Sequence, residues 1–334
     1  MARAVIFGCG GPTLAGEERR FFAAADPWGF ILFARSVEAP AQLGRLTASL
    51  RDAVGRDAPI LIDQEGGRVA RLRGPDWREW APALDECARL PDRAARARAM
   101  YLRYRLIAGE LAAAGIDVNC APVLDLVEPA THAVIRDRCY GAVADEVAAV
   151  GRAVADGLLA GGVLPVMKHV PGQGRAGLDS HLALPRVEAD AAALRADFAP
   201  FRALADLPMA MTAHVVYAAL DPEAPATQSA RVVGLIRGEI GFGGLLMTDD
   251  LSMNALSGGV AERAARALAA GCDMVLHCNG DPGEMAAVAG AAPTLAGPAL
   301  ARAAAALALR RRPDAEDAGA LAAELAAIGG RAHA

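Results

Sequence analysis

The chain has 334 residues, 54% hydrophobic and 22% charged, with a formal net charge of −5. That length suits two average domains or one large barrel and supplies ample core material. The acidic balance argues against nucleic acid or an anionic membrane as partner. Residues 1–11, MARAVIFGCGG, hold one arginine and then four apolar residues before glycine. This is too short for a signal-peptide core, and no later apolar run reaches the roughly 18 residues of a membrane span.

Eight short apolar runs follow in order: AVIFG (4–8), GFILFAR (29–35), PILIDQ (59–64), IDVNCAPVLD (116–125), LPVMKHV (164–170), MAMTAHVVY (209–217), GLLMTDD (244–250) and DMVLHCN (273–279). Between them, segments such as 40–55, 95–114, 145–160, 190–205 and 260–270 repeat apolar residues every three to four positions, the helical period. This order predicts an α/β fold, a (β/α)₈ barrel occupying residues 1–334 as one domain. The Ala-rich tail, 293–330, is expected to add one or two closing helices. A doubly wound open sheet is the alternative, but GCGG after the first run opens no helix in G-x-G-x-x-G form, which argues against a dinucleotide cofactor.

The six cysteines, at 9, 87, 120, 139, 272 and 278, form no C-x-x-C pair. They read as buried thiols of a reducing compartment, with the cytoplasm expected. Cys and His do not cluster at metal-ligand spacing, so no metal is expected.

Barrel chemistry sits at the C-terminal ends of strands, and the ionisable residues fall there. Strand three ends in Asp63-Gln64-Glu65, strand four in Asp125, and strand five in Lys168-His169. Strand six carries His214, strand seven ends in Asp249-Asp250, and strand eight in His277-Cys278-Asn279. Lys168 is the chain's only lysine among 34 basic residues. One such residue is an ordinary cap; this many point to an enzyme. Metal-assisted hydrolysis would want histidines on an early strand, and Schiff-base chemistry would want a depressed Lys168. Glycoside hydrolysis needs a carboxylate nucleophile and a proton donor.

Asp249, held by the apolar run before it, suits the nucleophile. Asp250 alternates to the other side and is expected to cap a helix over LSMNAL. Glu65 is the only Glu near a strand end that could donate a proton. Asp179 and His181 in LDSH offer another donor: two apart, they face one side of an extended loop, and the carboxylate can orient and charge the imidazole. Gly172, Gly174 and Gly177 are expected to give this loop freedom to swing.

IDQEGGRVARL (62–72), NCAPVLDL (119–126), IRDRCYG (135–141), KHVPGQG (168–174), LDSHLALP (178–185), MTAHVVY (211–217), MTDDLSM (247–253) and AGCDMVLHCN (270–279) together resemble the bacterial β-N-acetylhexosaminidases of glycoside hydrolase family 3, cytoplasmic enzymes of peptidoglycan recycling. The resemblance spans nearly the whole chain. It implies a retaining double displacement with Asp249 as nucleophile, His181 as general acid/base and Asp179 as its partner. It further implies that Asp63, Arg71, Arg138, Lys168 and His169 bind N-acetylglucosamine, and that the substrate is an N-acetylglucosaminyl-anhydro-N-acetylmuramic muropeptide. Three positions depart from the family pattern. KHFPGHG is usual where this chain has Val170 and Gln173, and Ser is usual where it has Thr248. Asp125 and His214 read as barrel-interior hydrogen-bonding residues and His277 as a pocket-wall residue, while His132 and His333 have no informative context. A phosphorylase or transglycosylase with the same dyad is the rival enzyme, and a sugar-binding pseudoenzyme the non-enzyme rival. A monomer is expected.

Overall fold

The computed structural model describes residues 1–331, leaving His333 outside the described residues. Its strands are β1 (Arg3–Gly8), β2 (Pro27–Leu32), β3 (Ile60–Ile62), β4 (Val118–Asn119), β5 (Leu164–Val170), β6 (Arg186–Val187), β7 (Met209–Thr212), β8 (Val216–Tyr217), β9 (Leu245–Asp250) and β10 (Met274–His277). Eight of them close into a barrel in the order β1-β10-β9-β7-β5-β4-β3-β2, every neighbouring pair parallel, while β6 and β8 form a separate two-stranded ribbon. The eight expected runs are the eight barrel strands. The open-sheet alternative is excluded by closure.

These runs are nearly continuously apolar because both faces of the barrel wall are covered. Successive side chains still alternate. Ala4, Ile6, Leu61, Leu164, Val166, Met209, Met211, Leu245, Met247, Met274 and Leu276 fill the interior. Their neighbours Val5, Phe7, Ile60, Ile62, Met167, Ala210, Leu246 and Val275 pack outward under the helices. Leu295, Ala303 and Ala306 join the interior cluster. Ala4 N–H donates to the Pro293 carbonyl and Leu295 N–H to that of Ala2, both at 2.9 Å. The first tail helix, Gly297–Leu307, thus stops the N-terminal end of the barrel and leaves the cavity at the other end. The second, Ala318–Arg331, packs Leu321 on Leu102 and Leu106 of the helix Arg93–Ala113. There Arg98 grips Glu324 through two bonds of 2.7 and 2.8 Å.

Helix ends follow local chemistry. Pro40 begins the helix Pro40–Val54 and Gly55 ends it at φ 63°. Asp190 and Ser229 cap Ala191–Ala203 and Ala230–Gly238 with side-chain oxygens. The helix expected over LSMNAL is absent: residues 251–256 make turns, and the next helix is Val260–Ala270. The Asp250 carboxylate accepts the Ser252 N–H at 3.0 Å, the contact a helix cap would make, but here it closes a turn that no helix continues.

Candidate active site

Strand alternation carries three ionisable groups into the open mouth. Asp63 lies two residues past the interior Leu61, Lys168 two past Val166, and Asp249 two past Met247. All three line a cavity of about 270 Å³, together with Arg68, Arg71, Arg138, His169, His181 and Asp250. Its apolar wall includes Ile31, Phe33, Met211, Met253, Leu276 and Cys278.

At the centre is a buried ionic lattice. Lys168 Nζ donates to Asp63 Oδ1 and Glu65 Oε1, each at 2.7 Å. Arg138 meets Glu65 fork to fork at 2.8 and 2.9 Å, and Arg71 reaches Asp63 Oδ2 at 3.1 Å. Burial would push the Asp63 carboxyl up, but Lys168 and Arg71 hold it well below the usual range. Burial acts the same way on Glu65, and Arg138 and Lys168 outweigh it, bringing it down to about 2. Desolvation would lower Lys168, yet the two carboxylates raise it above its ordinary value. A lysine so stabilised as a cation is unfit for Schiff-base attack. Glu65, ionised and paired at both oxygens, is likewise unavailable as a proton donor.

The Lys168–His169 peptide is cis. His169 Nδ1 donates to Asp125 Oδ2 at 2.7 Å, leaving Nε2 to accept from Arg138 at 3.3 Å. Asp125 is fully buried, in keeping with an interior hydrogen-bonding role. His214 is the same kind of residue: Nε2 donates to the Asp250 carbonyl at 3.0 Å and Nδ1 accepts from Thr227 at 2.7 Å. Burial pushes its pKa down, so it stays neutral and braces the backbone beside Asp249. Burial would raise Asp249 itself. The imidazoles of His214 and His169, the Asp250 N–H at 2.8 Å and Lys168 together leave it lowered. Thr248 keeps the hydroxyl of the usual serine and accepts the Leu276 N–H at 2.9 Å, tying β9 to β10.

Asp179 and His181 sit on the loop between β5 and β6. Asp179 Oδ1 accepts from His181 Nδ1 at 2.8 Å and from its backbone N–H at 2.9 Å. Burial pushes Asp179 up, but the backbone N–H and ring of His181 bring it lower. With Nδ1 engaged, Nε2 is the free nitrogen of a His181 that borders the cavity; Asp179 does not itself line it.

Three expectations need correction. Asp250 does not turn away from the cavity but borders it, its carboxylate also accepting the Cys278 N–H at 3.1 Å. His277 is no wall residue. Alternation sends it outward, where it meets Glu284 at 2.9 Å and stands edge-on to Phe7, while Leu276 and Cys278 form the wall. The loop glycines are not three hinges. Gly172 is at φ 131° and Gly174 is in such close approach that a Cβ would lie 1.8 Å from the Leu126 carbonyl; only Gly177 is open. Glu65 as the partner of Arg138 lacked any local signal, since the two are 73 residues apart. His132 caps the short helix Ala133–Arg136. All six cysteines are free and buried. Among the described residues no His/Cys/Asp/Glu group is placed to hold a metal ion, and no helix is long and apolar enough to cross a membrane.

Residues 16–307 match the glycosyl hydrolase family 3 N-terminal domain. A beta-hexosaminidase of Alkalilimnicola ehrlichii is 42% identical over 283 residues, which is 82% of this chain and 80% of that one. Native NagZ from Neisseria gonorrhoeae superposes with a TM-score of 0.84 at 31% identity, covering 98% of this chain and 96% of that one. The same gonococcal protein has been solved in complex with N-trifluoroacetyl-D-glucosamine. A family 3 beta-N-acetylglucosaminidase from Paenibacillus gives a TM-score of 0.79 at 34% identity, covering 99% of this chain and 61% of that one. With a closed barrel and a mouth of carboxylates, cations and two His–Asp pairs, the chain belongs to glycoside hydrolase family 3, among its β-N-acetylhexosaminidases.

Proposed function

We propose that the protein is a retaining exo-β-N-acetylglucosaminidase that removes N-acetylglucosamine from muropeptides of the N-acetylglucosaminyl-anhydro-N-acetylmuramic type. The observation that carries this reading is one cavity bordered by both Asp249 and a His181 oriented by Asp179. Asp249, ionised and rigid on β9, attacks the anomeric carbon as the glycosidic bond breaks. His181 Nε2 protonates the departing oxygen, and Asp179 supports the imidazole as its charge changes. Water then releases the sugar from Asp249, with His181 now taking the proton.

Asp63 accepts sugar hydroxyl protons while Arg71, Arg138, Lys168 and His169 face its oxygens; the cationic partners keep the carboxylate charged. Ligand pockets span about 300–1,000 Å³, and a cavity near the lower bound, closed beneath by the barrel core, suits one terminal sugar. Arg68, half-exposed where it lines the same cavity, suits an anionic aglycone. Six free buried thiols fit action in the reducing cytoplasm, and we take the whole chain as one catalytic unit that works as a monomer.

Rates on aryl β-N-acetylglucosaminide, aryl β-glucoside and a purified anhydro-muropeptide, with the first-formed anomer followed by NMR, test this reading. The β-anomer of N-acetylglucosamine is expected first; the α-anomer would rule out retention. Transfer to phosphate is the second reading, favoured by the use of an imidazole, which does not repel an incoming dianion. Sugar 1-phosphate as the main product in phosphate buffer would establish it over hydrolysis.

A further inference from the structure

The loop that carries Asp179 and His181 is buried at its base and exposed at its tip. Across residues 177–184, Ser180 alone is buried, at 3% exposure, while its neighbours face solvent wholly or in part. Gln173 accounts for that exception. Its side chain is 1% exposed, and Nε2 donates to Ser180 Oγ at 3.2 Å. Its carboxamide oxygen is buried with no partner at all. An amide kept only to fill space would be better replaced by an apolar side chain, because an unpaired buried oxygen is destabilising. The contact with Ser180 is what the amide supplies.

Gln173 is also tied inward. Its backbone N–H donates to Asp125 Oδ1 at 2.6 Å, and the other oxygen of that carboxylate holds His169 at 2.7 Å. The Ser180 carbonyl accepts from Ala255 N–H at 3.2 Å, which docks the tip on the turn after Asp249 and Asp250.

We propose that Gln173 is a positioning residue for the acid/base pair. It pins the loop tip at Ser180 and joins it, through Asp125, to the imidazole of His169 in the sugar site. The proposal rests on His181 as the proton donor. Its role is to hold His181 in register with the leaving-group oxygen, so it matters only where that oxygen needs a proton. A hydrogen bond of ordinary strength shifts a two-state equilibrium by about three- to tenfold.

The test compares kcat/KM on phenyl and 2,4-dinitrophenyl N-acetyl-β-glucosaminides, the second of which leaves without protonation. Gln173→Leu and Ser180→Ala should each lose about three- to tenfold on the phenyl substrate and under about twofold on the dinitrophenyl one. The double variant should be no worse than either single one. His181→Ala should show the same bias, only larger. Ser180→Ala removes a single hydroxyl from a loop whose neighbouring residues are exposed, and keeps the test decisive should Gln173→Leu not fold. Equal losses on both substrates, or additive losses in the double variant, would overturn the pin while His181→Ala kept its bias. A His181→Ala variant with no bias would overturn the acid/base reading, and the pin with it.

Discussion

Asp249 and His181 reach one cavity by different means, and their variants should differ accordingly. Asp249 is fixed by strand alternation, with a backbone N–H on its carboxylate. Asp249→Ala should lower turnover of an aryl β-N-acetylglucosaminide at least about a thousandfold without altering folding; an active variant would place the nucleophile elsewhere. Asp179 and His181 form one hydrogen-bonded unit. Their alanine variants should be impaired to similar degrees, and combining them should add little; a nearly active Asp179→Ala would show that the imidazole works unaided. This pair was legible because both residues lie on one short loop. Asp63, Lys168 and Asp249 were legible because the period of a strand is fixed. Glu65 was not: its role as a clamp on Arg138 and Lys168 exists only once the barrel closes and brings distant strand ends together.

At the scale of the element, the base of the loop that carries Asp179 and His181 is packed where freedom was expected. A glycine run permits mobility, but it equally permits close backbone approach, and the sequence pattern is the same for both. At Gly174 approach wins, since a Cβ would strike the Leu126 carbonyl. Gly174→Ala should therefore destabilise the protein by about 1–3 kcal/mol, as overpacking typically does, and lower turnover with it; an unchanged midpoint in urea would mean that the loop base yields. The β6–β8 ribbon holds the far end, where Val216 N–H donates to the Pro185 carbonyl at 3.0 Å. The two-residue ribbon strands carry no periodic signal of their own: Val216–Tyr217 lies inside the run expected as one strand, 209–217, and Arg186–Val187 in a stretch with no expected element.

For the whole molecule, the ionic lattice across the mouth links stability to pH. Glu65 titrates near 2 in the folded state against an ordinary 4.5. Its contribution is complete above the ordinary value and is lost as pH falls through 4.5 towards 2. Lys168 has the opposite sign: raised by its partners, it contributes fully below its ordinary value and loses that only in strong alkali. The melting temperature should thus be flat from these groups between about pH 5 and 8 and fall below it. Glu65→Gln should cost about 3–5 kcal/mol at neutral pH, because it leaves the buried Arg138 without its carboxylate, and should flatten the acid limb of the curve. An acid limb equally steep in wild type and variant would assign acid unfolding to other carboxylates.

The chain carries a single ε-amine, and its residue, Lys168, is 1% exposed where it lines the cavity in the barrel mouth. Native protein should therefore resist acylation at lysine by a bulky amine-reactive ester, and unfolded protein should gain one such adduct. Intact-mass spectrometry would read the opening of the barrel mouth molecule by molecule, with no engineered label. A native chain acylated at Lys168 as fast as an unfolded one would mean that the barrel mouth opens far more often than its ion pairs allow.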